Sequence, residues 1–195
     1  MERGYKWYRQ GKREHKENSF RDFIDVSQWL VDKGYASAKL AAHGGSAGGM
    51  LMGAIANMAP QLYSAIIAEV PFVDVLETMS DPTLPLTPPE WPEWGNPIED
   101  QEARARIAGY SPVDNVSQQH YPAILATGGL TDPRVTYWEP ARWVAKLRAN
   151  NMSDKPILMH MEMEAGHAGK TGRYQRLEEV ARVYAFALKR LLWSA

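Results

Sequence analysis

Apolar positions along the chain change period several times, and each change marks an element. From Ser19 to Lys33 the residues Phe20, Phe23, Ile24, Leu30 and Val31 recur at helical spacing, which predicts an amphipathic helix. Ser19 and Asp22 stand like a capping box at its start, and Gly34 supplies its stop. Lys39–His43 reads as a short strand that breaks into Gly44-Gly45-Ser46-Ala47-Gly48-Gly49, with Met50–Met58 as the helix that follows. The alternation then repeats. Ser64–Phe72, Ala123–Thr127 and Pro156–Met163 read as strands, while Asp100–Tyr110, Tyr137–Asn150 and Arg173–Trp193 read as helices. Strands alternating with helices imply an α/β fold with a mostly parallel sheet and helices on both faces. In the last helix Leu177, Val180, Tyr184, Leu188 and Leu191 share one face, the face expected to lie on the sheet. One stretch breaks the rhythm: residues 81–97 carry Pro82, Pro85, Pro88, Pro89, Pro92 and Pro97, which predicts a long irregular loop of functional use.

Length and composition narrow the function more than the fold. At 195 residues, 45% hydrophobic and 23% charged, the chain is a folded domain able to bury its own core. Its 22 Lys and Arg against 23 Asp and Glu leave a net charge of -1, so no basic field exists to hold nucleic acid or an anionic membrane. Without Cys, disulfides, thiolate metal sites and a Cys nucleophile are out. No apolar run reaches membrane-spanning length, and Met1–Lys6 lacks a signal-peptide core. The expectation is a soluble, untargeted, cytoplasmic chain. Tyr5, Trp7 and Tyr8 arrive together among Lys and Arg with no predicted element to seat their rings, which reads as a fold cut short on its N-terminal side.

Gly44-Gly45-Ser46-Ala47-Gly48 fits the G-x-S-x-G nucleophile elbow in the strand-turn-helix context that motif requires. The small neighbours let the backbone turn sharply and let substrate approach, and the Ala47 N–H, at a helix N-terminus, faces a developing oxyanion. A serine needs a base, and the base needs an orienting acid, in the order acid then histidine after later strands. Asp132 follows the strand Ala123–Thr127, and His167 follows Pro156–Met163. Each residue also has a plainer use: a tight turn with a surface serine, an N-cap ahead of Pro133, a polar loop histidine. His43 and His160 lie inside predicted strands, and His15 and His120 in polar stretches without a strand end before them. Gly169-Lys170-Thr171 lacks the earlier glycine of a phosphate loop, since Glu164 occupies that position. No metal-ligand cluster stands out, and no cofactor is implied.

Gly44–Gly53 resembles the catalytic domain of the prolyl oligopeptidase family (peptidase S9), on its oligopeptidase B branch. The strings Val70–Val75, Glu93-Trp94-Gly95-Asn96-Pro97, Tyr110-Ser111-Pro112, Tyr137-Trp138-Glu139-Pro140 and Gly166-His167 agree, so the likeness covers nearly the whole chain. The resemblance implies an α/β-hydrolase fold and a serine peptidase with Ser46, Asp132 and His167 as its triad. It also implies short peptide substrates cleaved after basic residues, which that branch reads with two glutamates one residue apart. The first matches Glu90, while the second falls on Pro92 with Glu93 beside it. Residues 1–195 then form a partial hydrolase domain without the family's β-propeller or the tyrosine that completes its oxyanion hole. The four predicted strands leave an uncovered sheet edge. Such a chain is expected to self-associate or to join a missing N-terminal piece. An inactive association module and a general carboxylesterase are the competing readings.

Overall fold

The computed structural model describes residues 3–36 and 40–192. Lys39 and Trp193, the ends of a predicted strand and a predicted helix, lie outside the described residues. Four strands, β1 (Leu40–Gly45), β2 (Tyr63–Glu69), β3 (Ala123–Gly129) and β4 (Ile157–Glu162), form one parallel sheet in that order. Helices α1 (Tyr5–Arg9) and α2 (Asn18–Asp32) precede it. The connections carry α3 (Ala47–Met58), α4 (Val75–Met79), α5 (Thr87–Trp94), α6 (Gln101–Tyr110) and α7 (Trp138–Asn150), and α8 (Arg173–Leu192) follows β4.

The central strands β2 and β3 are buried almost throughout, as strands covered on both faces must be. One face packs Ala42, Ile66, Ala68, Ile124 and Ala126 against Met52 and Ile55 of α3 and Trp143, Val144 and Leu147 of α7, with Phe23 and Ile24 of α2 alongside. The other face packs Ala65, Ile67, Ala123 and Leu125 against Val183 and Phe186 of α8. A third cluster joins Phe20, Met50, Phe72, Trp94, Ile107, Tyr110 and Val135. It seats the segments that leave the carboxyl ends of β2 and β3, where ligands of open α/β sheets bind.

Three sequence expectations are corrected. Residues 81–97 are not irregular throughout, because 87–94 form α5. Pro88 and Pro89 occupy its first turn, where the missing N–H groups have no intrahelical partner to lose. Tertiary bonds hold the rest: Thr87 Oγ1 donates to the Thr78 carbonyl at 2.8 Å and Trp91 Nε1 to that of Met79 at 3.1 Å. Ser19 does not cap α2, which starts at Asn18 and has no side-chain cap, since the 3-10 turn Arg13–His15 feeds the backbone straight into helix. Gly34 ends it with φ 72°, as expected.

The third correction concerns α8. Leu177, Tyr184 and Leu188 are 57%, 63% and 47% exposed, and the residues on the sheet are Val183 and Phe186. The sheet offers that side only four small or branched side chains, enough for one stripe of the helix. Between α8 and the sheet edge lies a cavity of about 420 Å³, lined by Val180, Tyr184 and Ala187 of the helix together with Ile67 and His167.

Candidate active site

Ser46 stands between β1 and α3 with φ 55° and ψ -119°, a region L-residues enter at a cost of about 1–3 kcal/mol unless the surroundings compel it. The compulsion is visible. Its N–H donates to the Glu69 carbonyl at 2.9 Å, and its own carbonyl accepts from Met50 N and Phe72 N, each at 3.1 Å. A Cβ on Gly44 would collide with the Gly48 carbonyl, and one on Gly49 would lie 2.6 Å from Pro71 Cα, whereas Gly48 has open space around it. The first glycine of the motif therefore serves close packing. The ladder of α3 begins with Met50, so the N–H groups of Ala47, Gly48 and Gly49 precede it. Ala47 is exposed and Ser46 half-buried.

The segments after β3 and β4 meet backbone to backbone. A Cβ on Gly129 would lie 2.5 Å from the Ala165 carbonyl, and Leu130 N donates to the Glu162 carbonyl at 2.9 Å. This brings together residues far apart in the chain. His167 Nδ1 lies 2.8 Å from Asp132 Oδ2, and His167 Nε2 lies 3.1 Å from Ser46 Oγ. The Asp132 side chain is fully buried and that of His167 is 19% exposed. The second oxygen of Asp132 accepts from the N–H groups of Arg134 at 2.8 Å and Val135 at 3.0 Å; it holds a turn and does not cap a helix, since α7 begins only at Trp138 and has no side-chain cap.

Glu162 anchors the loop that carries His167. It meets Lys170 Nζ at 2.9 Å, His160 Nε2 at 2.6 Å and Arg182 Nη1 at 3.2 Å. Burial pushes its carboxyl upward, but the bonds from Lys170, His160 and Arg182 outweigh it and bring the pKa down to about 2. The competing histidines are engaged elsewhere: His160 with Glu162 and His43 with Glu69.

Glu90 and Glu93 lie on α5 rather than on a loop. Glu93 accepts from Tyr8 Oη at 2.7 Å and from Lys16 Nζ at 2.9 Å, and Lys16 also sits over the Trp94 ring at 4.2 Å. This pairing ties the N-terminal segment down and places Tyr8, though Tyr5 and Trp7 stay exposed. Glu90 accepts from Trp94 Nε1 at 2.6 Å and has no cationic partner among the described residues. The Trp94 ring stands edge-on to Phe72 at 5.3 Å, whose N–H bonds Ser46, so α5 connects to the elbow through two aromatic rings.

Sequence reasoning missed Glu139. It is fully buried, and its carboxylate accepts from Val73 N and Asp74 N, both at 3.0 Å, and from Thr78 Oγ1 at 2.9 Å. Burial pushes its pKa up to about 7 against the opposing pull of those bonds. The available signal was its place on the inward face of α7, in step with Trp143 and Leu147. Among the described residues no group of His, Asp or Glu is arranged to hold a metal ion, and no helix is long and apolar enough to cross a membrane.

A parallel sheet covered on both sides, with a serine elbow after β1 and Asp132 and His167 after the last two strands, is an α/β-hydrolase fold. The chain belongs to the prolyl oligopeptidase family, whose model matches residues 1–192. It is 51% identical over 192 residues to dipeptidyl aminopeptidase BI of Pseudoxanthomonas mexicana, covering 98% of this chain and 26% of that protein. Protease 2 of Moraxella lacunata is 50% identical over 191 residues, covering 97% of this chain and 28% of the relative. Oligopeptidase B from Leishmania major superposes with a TM-score of 0.90 at 47% identity, covering 92% of this chain and 25% of that one. The chain thus spans about a quarter of the length of these relatives.

Proposed function

We propose that this chain carries the nucleophile of a serine peptidase acting on short peptides, with Ser46 attacking the scissile carbonyl, His167 as general base and Asp132 orienting the imidazole. The contacts of His167 with Ser46 Oγ at 3.1 Å and Asp132 Oδ2 at 2.8 Å carry the reading. An ionised carboxylate only accepts, so Nδ1 holds the imidazole proton and Nε2 turns its lone pair to the serine hydroxyl. As the Oγ–carbon bond forms, the Oγ proton passes to Nε2 and the carbonyl electron pair moves onto oxygen, facing the Ala47 N–H. Collapse breaks the carbon–nitrogen bond, and the leaving amine takes the proton from His167. Water then repeats the sequence on the acyl-enzyme.

Selection of a basic side chain next to the scissile bond is assigned to Glu90, a half-buried carboxylate without a cationic partner among the described residues. Glu93 is a poorer candidate because Lys16 and Tyr8 already engage it. The names of the relatives, dipeptidyl aminopeptidase BI, protease 2 and oligopeptidase B, support peptide substrates. The test is covalent labelling by a fluorophosphonate together with turnover of an arginyl reporter peptide. Both are expected for the wild-type chain and neither for Ser46→Ala; equal turnover in the two would overturn the assignment.

The exposed apolar stripe of α8 favours a second reading, in which the chain acts by association with a partner. A monomeric chain that labels at Ser46 would count against it.

A further inference from the structure

We infer that Glu139 is a positioning residue for the nucleophile: through residues 70–74 it holds the Ser46 backbone in the conformation the elbow needs. The inference rests on the serine-nucleophile reading above. Its contacts run in an unbroken line. The buried carboxylate accepts from Val73 N, Asp74 N and Thr78 Oγ1. Asp74 itself is buried and ion-paired with Arg142, one turn beyond Glu139 on the same helix, so α7 grips the segment at two points. One residue before Val73, the Phe72 N–H donates to the Ser46 carbonyl, while the Ser46 N–H donates to Glu69 at the end of β2. The carbonyl of the nucleophile therefore leans on a segment whose far end is fastened by Glu139, and its N–H on the last residue of the strand that leads into that segment.

That segment cannot hold its shape unaided. Val70 has φ 40°, a left-handed backbone that a β-branched residue adopts only when its surroundings over-determine it. Pro71 packs against Gly49 of α3 closely enough to exclude a Cβ, and Val113 N bonds the Val73 carbonyl at 3.0 Å. A position needed only for packing would carry an apolar side chain, because an unpaired buried carboxylate is costly. Three converging donors give this one a reason to remain. Displacing a reacting group by about 1 Å costs about a hundredfold in rate, and the Ser46–His167 contact of 3.1 Å is the distance at stake.

The experiment separates side-chain length from charge. In the full chain, Glu139→Asp keeps the charge but withdraws the oxygens by one methylene, whereas Glu139→Gln keeps the reach and loses the charge. Fluorophosphonate labelling rates, kcat and KM for an arginyl reporter, and far-UV circular dichroism are measured for each. Glu139→Asp is expected to fold, to lose about tenfold in labelling rate and kcat, and to keep KM within about twofold; Glu139→Gln is expected to recover to within about threefold of wild type. Thr78→Val, which removes only the hydroxyl donor, is expected to slow labelling about threefold and keeps the test open if Glu139→Asp does not fold. Wild-type labelling rates in the folded variants, or a loss confined to KM, overturn the positioning role and leave the nucleophile assignment standing. A wild-type chain that takes no label at Ser46 overturns both.

Discussion

Asp132 and His167 meet through one carboxylate oxygen, Oδ2 at 2.8 Å from Nδ1, while the other oxygen of Asp132 accepts from the backbone N–H groups of Arg134 and Val135. Structure and chemistry are thus assigned to different atoms of one side chain, and substitutions can separate them. In Asp132→Asn the amide oxygen can keep these turn bonds while the NH2 faces His167 and favours the wrong tautomer. We expect kcat to fall by about 10⁴ with little change in thermal stability. Asp132→Ala loses these turn bonds as well and should be destabilised by about 1 kcal/mol. Equal melting temperatures for the two variants would show that the turn bonds contribute nothing.

The two outer glycines of the elbow should behave differently, although the motif treats them alike. Gly44→Ala drives a methyl group into the Gly48 carbonyl, backbone against backbone, and should cost about 1–3 kcal/mol or more. Gly48→Ala meets nothing within 4 Å and lies inside α3, where alanine is favoured over glycine by about 1 kcal/mol. Chemical denaturation of the two variants reads the contrast directly.

Glu139 should impose a pH dependence on stability. Burial raises its folded-state pKa to about 7 from an ordinary value of 4.5, so between those limits the native state binds more protons than the unfolded chain. Its contribution is then fully present below about pH 4.5 and is lost as pH rises through 7, by about 3 kcal/mol in all. The groups facing it are Asp74, whose charge raises the pKa further, and Thr78, which opposes the shift. Burial raises the pKa of Asp74 beside it; Arg142 and Lys146 oppose that rise, and Asp114 and Glu77 add to it. Melting curves of wild type and Glu139→Gln across this range should converge at low pH and separate towards neutrality, with the glutamine variant the flatter.

Glu90 and Glu93 should separate selectivity from stability. Glu90→Gln is expected to raise KM for arginyl substrates about tenfold and to leave neutral reporters unaffected, in line with the loss of one charge-assisted bond. Glu93→Gln breaks the contact with Lys16 and weakens that with Tyr8, and should cost about 1 kcal/mol of stability while preserving the preference for arginine. Steady-state kinetics on paired arginyl and alanyl reporters, beside thermal melts, check both.

Reading residues 81–97 as loop failed for an instructive reason. Proline density argues against helix when bonds within the segment decide the outcome, yet α5 is held by Thr87 and Trp91 bonding back to α4. Its prolines sit mainly in the first turn, where they cost least. The amphipathic pattern of α8 marked a helix correctly but not which stripe would be buried, because that depends on how much sheet lies beneath it.

The order of the four strands and of the helices α2, α3, α6, α7 and α8, the parallel sheet and the glycine-flanked Ser46 were legible in the chain, because period and backbone permissiveness are properties of neighbouring residues. Asp132 and His167 could be named as candidates from their places after strands. Their meeting with a serine 121 residues away from His167 is a matter of aligned strand ends and loops packed backbone to backbone. The capture of Glu93 by Lys16 and the burial of Glu139 beneath residues 70–74 likewise arise only when distant segments share one space. Local chemistry selects the elements, but burial and the pairing of charges are decided by which of them the folded chain brings into contact.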